Sequence, residues 1–229
     1  MQALRRRVNA VYVDVFWWFM TALARFLFVV FSRWRVEGKE FVPPMGPLIV
    51  VSNHMSMIDP SLVTTAVPRR ITFMAKSELY RHWFTRWLVR SYGSVRIVRG
   101  RGQRQTLETL ANMLRHDGTV HMFPEGTRSK GQLAQASPGT AQLALQTGAP
   151  ILPVAITGSQ RVTRFKPGFT RPRLTVSIGQ PFTLPLLEGP VQKAQLNSMG
   201  DMIMDRIAAL LPPEYRGHYA TKPRAPSAT

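Results

Sequence analysis

The chain has no cysteine, so disulfides, thiolate nucleophiles and cysteine-bound metals are excluded. Acid is scarce: 12 Asp and Glu stand against 30 Lys and Arg, a formal charge of +18. No H-E-x-x-H zinc motif and no G-x-S-x-G nucleophile turn occurs. Internal repeats, long linkers and a recognisable nucleic-acid-binding module are missing as well. What is present is an ordinary globular balance, 45% hydrophobic and 18% charged over 229 residues. That length allows one domain with a real core and is tight for two. The excess of base, mostly arginine, calls for an anionic partner such as nucleic acid, anionic lipid or a phosphorylated substrate. A generic basic surface that aids solubility is the plain alternative.

Val8 to Phe31 is mostly apolar and aromatic. As a helix it would measure about 36 Å, enough to cross a bilayer. Asp14 and Arg25 interrupt it. On a helical wheel Arg7, Asp14, Thr21, Arg25 and Ser32 fall near one line, a narrow polar stripe. Such a stripe fits a helix or bent helical pair lying in the membrane interface, and equally a tilted span whose charges pair inside protein. A core-packed helix and a cleaved signal peptide, with Ala22-Leu23-Ala24 as the cleavage site, also remain open. Arg5, Arg6 and Arg7 before the run, and Arg33 and Arg35 after it, suit lipid phosphates but set no orientation.

Beyond residue 34, short apolar runs alternate with helical patterns. Strands are expected at Leu48–Ser52, Ile71–Ala75, Ser94–Val98, Thr119–Phe123, Ile151–Ile156 and Leu174–Ile178, the last half-solvated. Helices are expected at Pro60–Ala66, Ser77–Leu88, Gln103–Arg115, Gly139–Thr147 and Val191–Leu211, the first with Asp59 as N-cap. The fold class is therefore α/β: a single domain with a largely parallel sheet flanked by helices, plus an N-terminal membrane-associated helical segment. The divisions are residues 1–33 for that segment, 34–218 for the domain, and 219–229 for a disordered tail.

Polar clusters follow two of the buried strands, where α/β folds gather their sites. The first is Asn53-His54-Met55-Ser56-Met57-Ile58-Asp59. Five helical steps separate His54 from Asp59 by about 140°, so they meet only if the segment curls as a turn. Asp59 would then fix the imidazole tautomer, freeing the other nitrogen to accept a proton. Otherwise Asp59 merely caps its helix. The second cluster is Phe123-Pro124-Glu125-Gly126-Thr127-Arg128-Ser129. Its Pro ends the strand, and Arg128 offers a planar fork to phosphate. A plain surface turn fits it too. Ser52 and Ser56 lie near the base but in no nucleophile setting. His82, His116 and His121 are read as surface or packed residues. The basic set Arg161, Arg164, Lys166, Arg171 and Arg173 suits a carrier's phosphates, anionic headgroups or plain solvation.

NHMSMID, FPEGTRS and the later Ile151-Leu152-Pro153-Val154-Ala155-Ile156 together resemble the glycerolipid acyltransferases, in particular the 1-acylglycerol-3-phosphate acyltransferase branch. The resemblance runs from about residue 34 to 180 in order and spacing. It implies a fatty acyl transfer from acyl-CoA or acyl carrier protein to the sn-2 hydroxyl of 1-acylglycerol-3-phosphate, making phosphatidic acid. It implies His54 as general base and Asp59 as its orienting partner. Substrate-binding positions would be Asn53, Arg99, Glu125, Gly126, Thr127, Arg128 and Pro153. Arg99 belongs to the block Gly93–Arg99. No metal, no cofactor and no covalent acyl-enzyme are implied. The partners would be a lysophospholipid acceptor, the thioester donor and an anionic membrane surface, with no nucleic acid. By analogy the place is the cytoplasmic face of a bacterial inner membrane. Two positions depart from the common pattern. Val98 stands where many members carry Asp, and Ala136-Ser137-Pro138-Gly139 lacks the Lys that many carry. The competing classes are the same chemistry on another lysolipid, a metal-assisted hydrolase using His54 and Asp59, and a non-catalytic basic membrane adaptor.

Overall fold

The computed structural model describes residues 2–91, 94–97, 103–129, 131–162, 171–187 and 189–220. Chain order is α1 (Gln2–Phe31), β1 (Arg33–Glu37), β2 (Leu48–Ser52), α2 (Asp59–Ala66), β3 (Ile71–Lys76), α3 (Trp83–Ser91) and β4 (Val95–Ile97). Then follow α4 (Gln103–Arg115), β5 (Thr119–Met122), α5 (Gly139–Thr147), β6 (Ile151–Thr157), α6 (Ser159–Val162), β7 (Arg173–Ile178) and α7 (Lys193–Leu210). The expected elements stand within a few residues of their places. The stretch begun at Ser77 is a 3₁₀ turn, Ser77–Tyr80, followed by α3.

The strands form one seven-stranded sheet in the order β1-β7-β6-β2-β5-β3-β4. Five strands, β2 to β6, run parallel, and β6 pairs with β7 antiparallel. β1 lies parallel to β7 at the edge. Period-two alternation sends neighbouring residues to opposite faces. Ile49, Val51, Val120, Ile151 and Ala155 join one core with residues of α4, α5 and α7. Leu48, Val50, Leu152, Val154 and Ile156 join a second core with α2. Both faces of the central strands are thus covered, which accounts for their unbroken apolar runs.

α1 is one continuous helix. Its stripe turns inward: Asp14 pairs with Arg70, and Thr21 and Ser32 are buried, as is Trp17 between them. Arg25 departs from that pattern and is exposed. Phe28 packs on Trp34 at 5.4 Å, placing α1 over the α2 side of the sheet. The opposite flank presents Trp18, Phe19, Phe26, Val30 and Phe31 outward. The window Asp14–Phe31 is apolar enough to cross a membrane by length and composition, with 11% of it buried.

Two expectations about the chain's ends are corrected. Arg33 and Arg35 are β1 residues, not a headgroup flank beside the helix. Trp34 and Val36 face the α2 side, so the alternate arginines project from the other face. The tail does not begin at Tyr219. That side chain is buried, its hydroxyl donates to Asp201 at 2.8 Å, and it accepts from the Ala136 amide at 3.2 Å. Burial and Asp201 both hold the phenol well above its usual range. Residues 221–229 lie outside the described residues. Tyr219→Phe should lower stability by about 1–3 kcal/mol, because a buried amide and a carboxylate each lose a partner. Thermal unfolding of the two proteins checks this.

Candidate active site

β2 and β5 are parallel neighbours, with Val51 beside Met122. Each motif begins where its strand ends, so the sheet brings residues 53–59 and 123–129 to the same edge. Their loops are then stitched together. Glu125 Oε1 accepts from the His54 amide at 2.9 Å. Ser129 donates to the His54 carbonyl from both its amide, at 2.7 Å, and its hydroxyl, at 3.1 Å. The second motif therefore clamps both backbone polar groups of His54.

The first motif curls as a turn, and the imidazole meets the carboxylate. His54 Nδ1 lies 3.0 Å from Asp59 Oδ2, with side-chain exposures of 17% and 0%. Asp59 is not the N-cap. Ile58 takes that position, and Asp59 is the first helical residue. Its carboxylate reaches back to the Met55 amide at 2.6 Å and the Ser56 amide at 2.7 Å. Hydrogen bonds of this kind fix the direction of the carboxylate. The Phe123 ring stacks on the imidazole with centroids 3.8 Å apart and planes 16° from parallel. Three contacts thus set the ring: a carboxylate on Nδ1, an aromatic on its face, and a clamped backbone. Among the described residues no protein group bonds Nε2.

Three backbone amides of the first motif are already spent and cannot serve as oxyanion donors, since Glu125 holds the His54 amide and Asp59 holds those of Met55 and Ser56.

Three other residues expected at the substrate, Asn53, Glu125 and Pro153, have partners within the protein. Asn53 is buried and spends its amide on Ile156, donating to the carbonyl at 2.9 Å and accepting from the N–H at 2.7 Å. It ties the end of β2 to β6. Both Glu125 carboxylate oxygens are engaged within the protein, Oε1 by the His54 amide and Oε2 by the Ala134 amide at 2.9 Å. Burial raises its pKa, while the Ala134 and His54 amides and the Ser129 hydroxyl pull it back. Its place is to shape the loop. Pro153 lies inside β6, where its carbonyl accepts from Gly179 at 2.8 Å. Its missing N–H faces the break between Gly179 and the Ile151–Phe182 bridge, so no ladder bond is lost.

Gly126, Thr127 and Arg128 are exposed at the site's rim. Gly126 has φ +68° and donates to the Phe123 carbonyl at 3.0 Å, a turn that disfavours any side chain there. Arg128 has no protein partner among the described residues and is free to meet an anion. Arg99 lies outside the described residues.

Sequence reasoning passed over two groups. Ser129 stood in the motif without a role. Ser52 and His121 form a buried pair, Oγ to Nε2 at 2.9 Å, and His121 meets Phe123 edge-on at 4.4 Å. Positions on one face of two adjacent buried strands, with Ser52 two residues beyond the His121 partner Val50, were the available signal. A hydroxyl beside an imidazole suggests nucleophile and base, but these are 0% and 1% exposed. Burial, then the nearby His54, push the His121 pKa down to about 3. Below its ordinary 6.5 the unfolded chain binds this proton while the native protein refuses it. Stability should therefore fall as pH drops from 6.5 toward 3, by on the order of a few kcal/mol. Denaturant unfolding at pH 7 and pH 4 measures the drop, which His121→Phe should reduce.

Comparison with known proteins then gives the lineage. Residues 33–157 match the family described as Acyltransferase. The chain belongs to that family. It is similar to the lyso-ornithine lipid O-acyltransferase of Pseudomonas aeruginosa, 32% identical over 142 residues, 61% of this chain and 52% of that one. It is also similar to human 1-acyl-sn-glycerol-3-phosphate acyltransferase alpha, 32% identical over 134 residues, 56% of this chain and 47% of that one. The matched stretches thus span about half of these curated relatives. Among solved structures it resembles the 1-acyl-sn-glycerophosphate (LPA) acyltransferase PlsC of Thermotoga maritima. The TM-score is 0.65 and the identity 27%, covering 87% of this chain and 79% of that one.

Proposed function

We propose that this acyltransferase moves a fatty acyl chain from a thioester donor, acyl-CoA or acyl carrier protein, to the sn-2 hydroxyl of 1-acylglycerol-3-phosphate, forming phosphatidic acid. The observation that carries the reading is the His54 imidazole held at Nδ1 by the buried Asp59, with Nε2 unbonded among the described residues. Nε2 takes the proton of the acceptor hydroxyl as its oxygen bonds to the thioester carbonyl carbon. The carbon–sulfur bond then breaks, and the proton passes from the imidazolium to the departing thiolate. Asp59 stabilises the imidazolium in between. Transfer is direct, with no acyl-enzyme, metal or further cofactor. Arg128 at the rim takes the acceptor phosphate. The outward apolar flank of α1 enters a membrane, which gives a lysolipid a short path to the base.

Radiolabelled oleoyl-CoA and lysophosphatidic acid in detergent, with wild type beside His54→Ala, test this. Labelled phosphatidic acid from the wild type alone supports it. A second reading, the same transfer to a lyso-ornithine lipid, is favoured by the similarity to the Pseudomonas protein of that name. A panel of lysolipid acceptors separates the two.

A further inference from the structure

The sheet face opposite α1 carries a feature that acyl transfer in the membrane leaves unused. On the α2 side, Trp34 and Val36 of β1 and Leu174 and Val176 of β7 are packed. The alternate residues, Arg33, Arg35 and Arg173, point from the other face and are exposed. Arg33 and Arg173 are direct cross-strand neighbours, and Arg35 sits beside Thr175. These side chains line a shallow concavity with Glu37. Among the described residues Glu37 is the single carboxylate there, 3.7 Å from Arg35 and accepting from the Ser177 hydroxyl at 3.1 Å.

Like charges directly opposite on a sheet destabilise it. Two adjacent exposed arginines therefore fit a partner that brings negative charge. The partner's source follows from the two faces. The apolar flank of α1 lies on one side of the sheet and the arginines on the other. A membrane holding α1 leaves the arginines turned toward solution. Their partner is soluble, not a lipid headgroup.

Distance then links the face to the chemistry. Arg33 and Arg173 start their strands, and β7 runs against β6 with Thr175 beside Thr157 at the end of β6. They therefore stand at the same sheet edge as His54, which follows β2. β1 is three strand spacings from β2, about 14 Å. A thioester on a long flexible arm spans such a gap.

We propose that the β1–β7 arginine face docks an acidic acyl carrier protein, presenting its thioester over the sheet edge to His54. This rests on the thioester-dependent reading above and selects its donor. Charges spaced along one strand, about 6.6 Å between alternate residues, suit carboxylates spaced along a helix.

The test is binding of a bacterial acyl carrier protein in its holo form, without an acyl group, to the full chain in detergent. Wild type is compared with the triple variant Arg33→Ala, Arg35→Ala, Arg173→Ala. A second triple, Arg104→Ala, Arg115→Ala, Lys193→Ala, removes equal charge from exposed sites elsewhere. The first triple should weaken binding about tenfold and flatten its salt dependence, and the second should retain both. Arg173→Gln alone, with its shape largely kept, should give part of the loss. Equal binding by the first triple, or an equal loss in the second, overturns the proposal. So does a parallel rise of KM for oleoyl-CoA in the first triple, which would assign the face to the phosphates of a small donor. Because no acyl transfer is needed to read binding, an error in the acceptor or in His54 would leave this result standing.

Discussion

Replacing His54 by alanine is expected to lower the turnover of acyl transfer by about 10²- to 10⁴-fold, the range for removing a positioned base. The fold should survive. The imidazole is partly exposed, and the carboxylate it leaves behind keeps two amide donors, Met55 and Ser56. Initial rates with saturating thioester and acceptor, beside a thermal melt of each protein, separate chemistry from unfolding. A turnover within a few-fold of wild type would remove His54 from the proposed mechanism. Asp59→Asn tests the charge more than the turn: the imidazole and the Met55 and Ser56 amides all meet the single oxygen Oδ2, so an asparagine oxygen in that place keeps the acceptor contacts while the negative charge is lost.

Glu125→Gln should produce the second largest effect. The change keeps size and removes one of two acceptors, so either the His54 or the Ala134 amide faces an N–H group. A buried donor left without a partner costs about 1–3 kcal/mol of stability. The base is then less well placed, and misplacement by roughly an ångström can cost about 10²-fold in rate. As a positioning residue, Glu125 should affect kcat while the Michaelis constants hold. Loss confined to KM for the acceptor would instead return Glu125 to substrate binding.

The family, the sheet and the pairing of base with carboxylate were legible in the sequence for a common reason. Strands β2, β5 and β6 are short apolar runs closed by polar clusters, and buried parallel strands leave that pattern whatever packs around them. β1 was not legible. At the sheet edge one of its faces is solvated by arginine, so its composition reads as a charged flank beside an apolar helix. Tyr219 went the same way: a polar tail sequence gives no sign that Asp201 and Ala136 will close around its hydroxyl.

By itself the sequence determined the residue types available for chemistry and the strand ends on which they stand, because these depend on local pattern and chain order. Which of those residues are free to act was decided by the tertiary structure. Asn53 and Glu125 looked like contacts for a substrate, yet strands and loops distant in the chain already engage their polar atoms. The inward turn of the α1 stripe and the solvent-facing arginines of β1 were settled in the same way. A buried hydrogen bond needs a partner, and a strand needs a neighbour on each side, so only packing determines which groups are spent and which remain exposed.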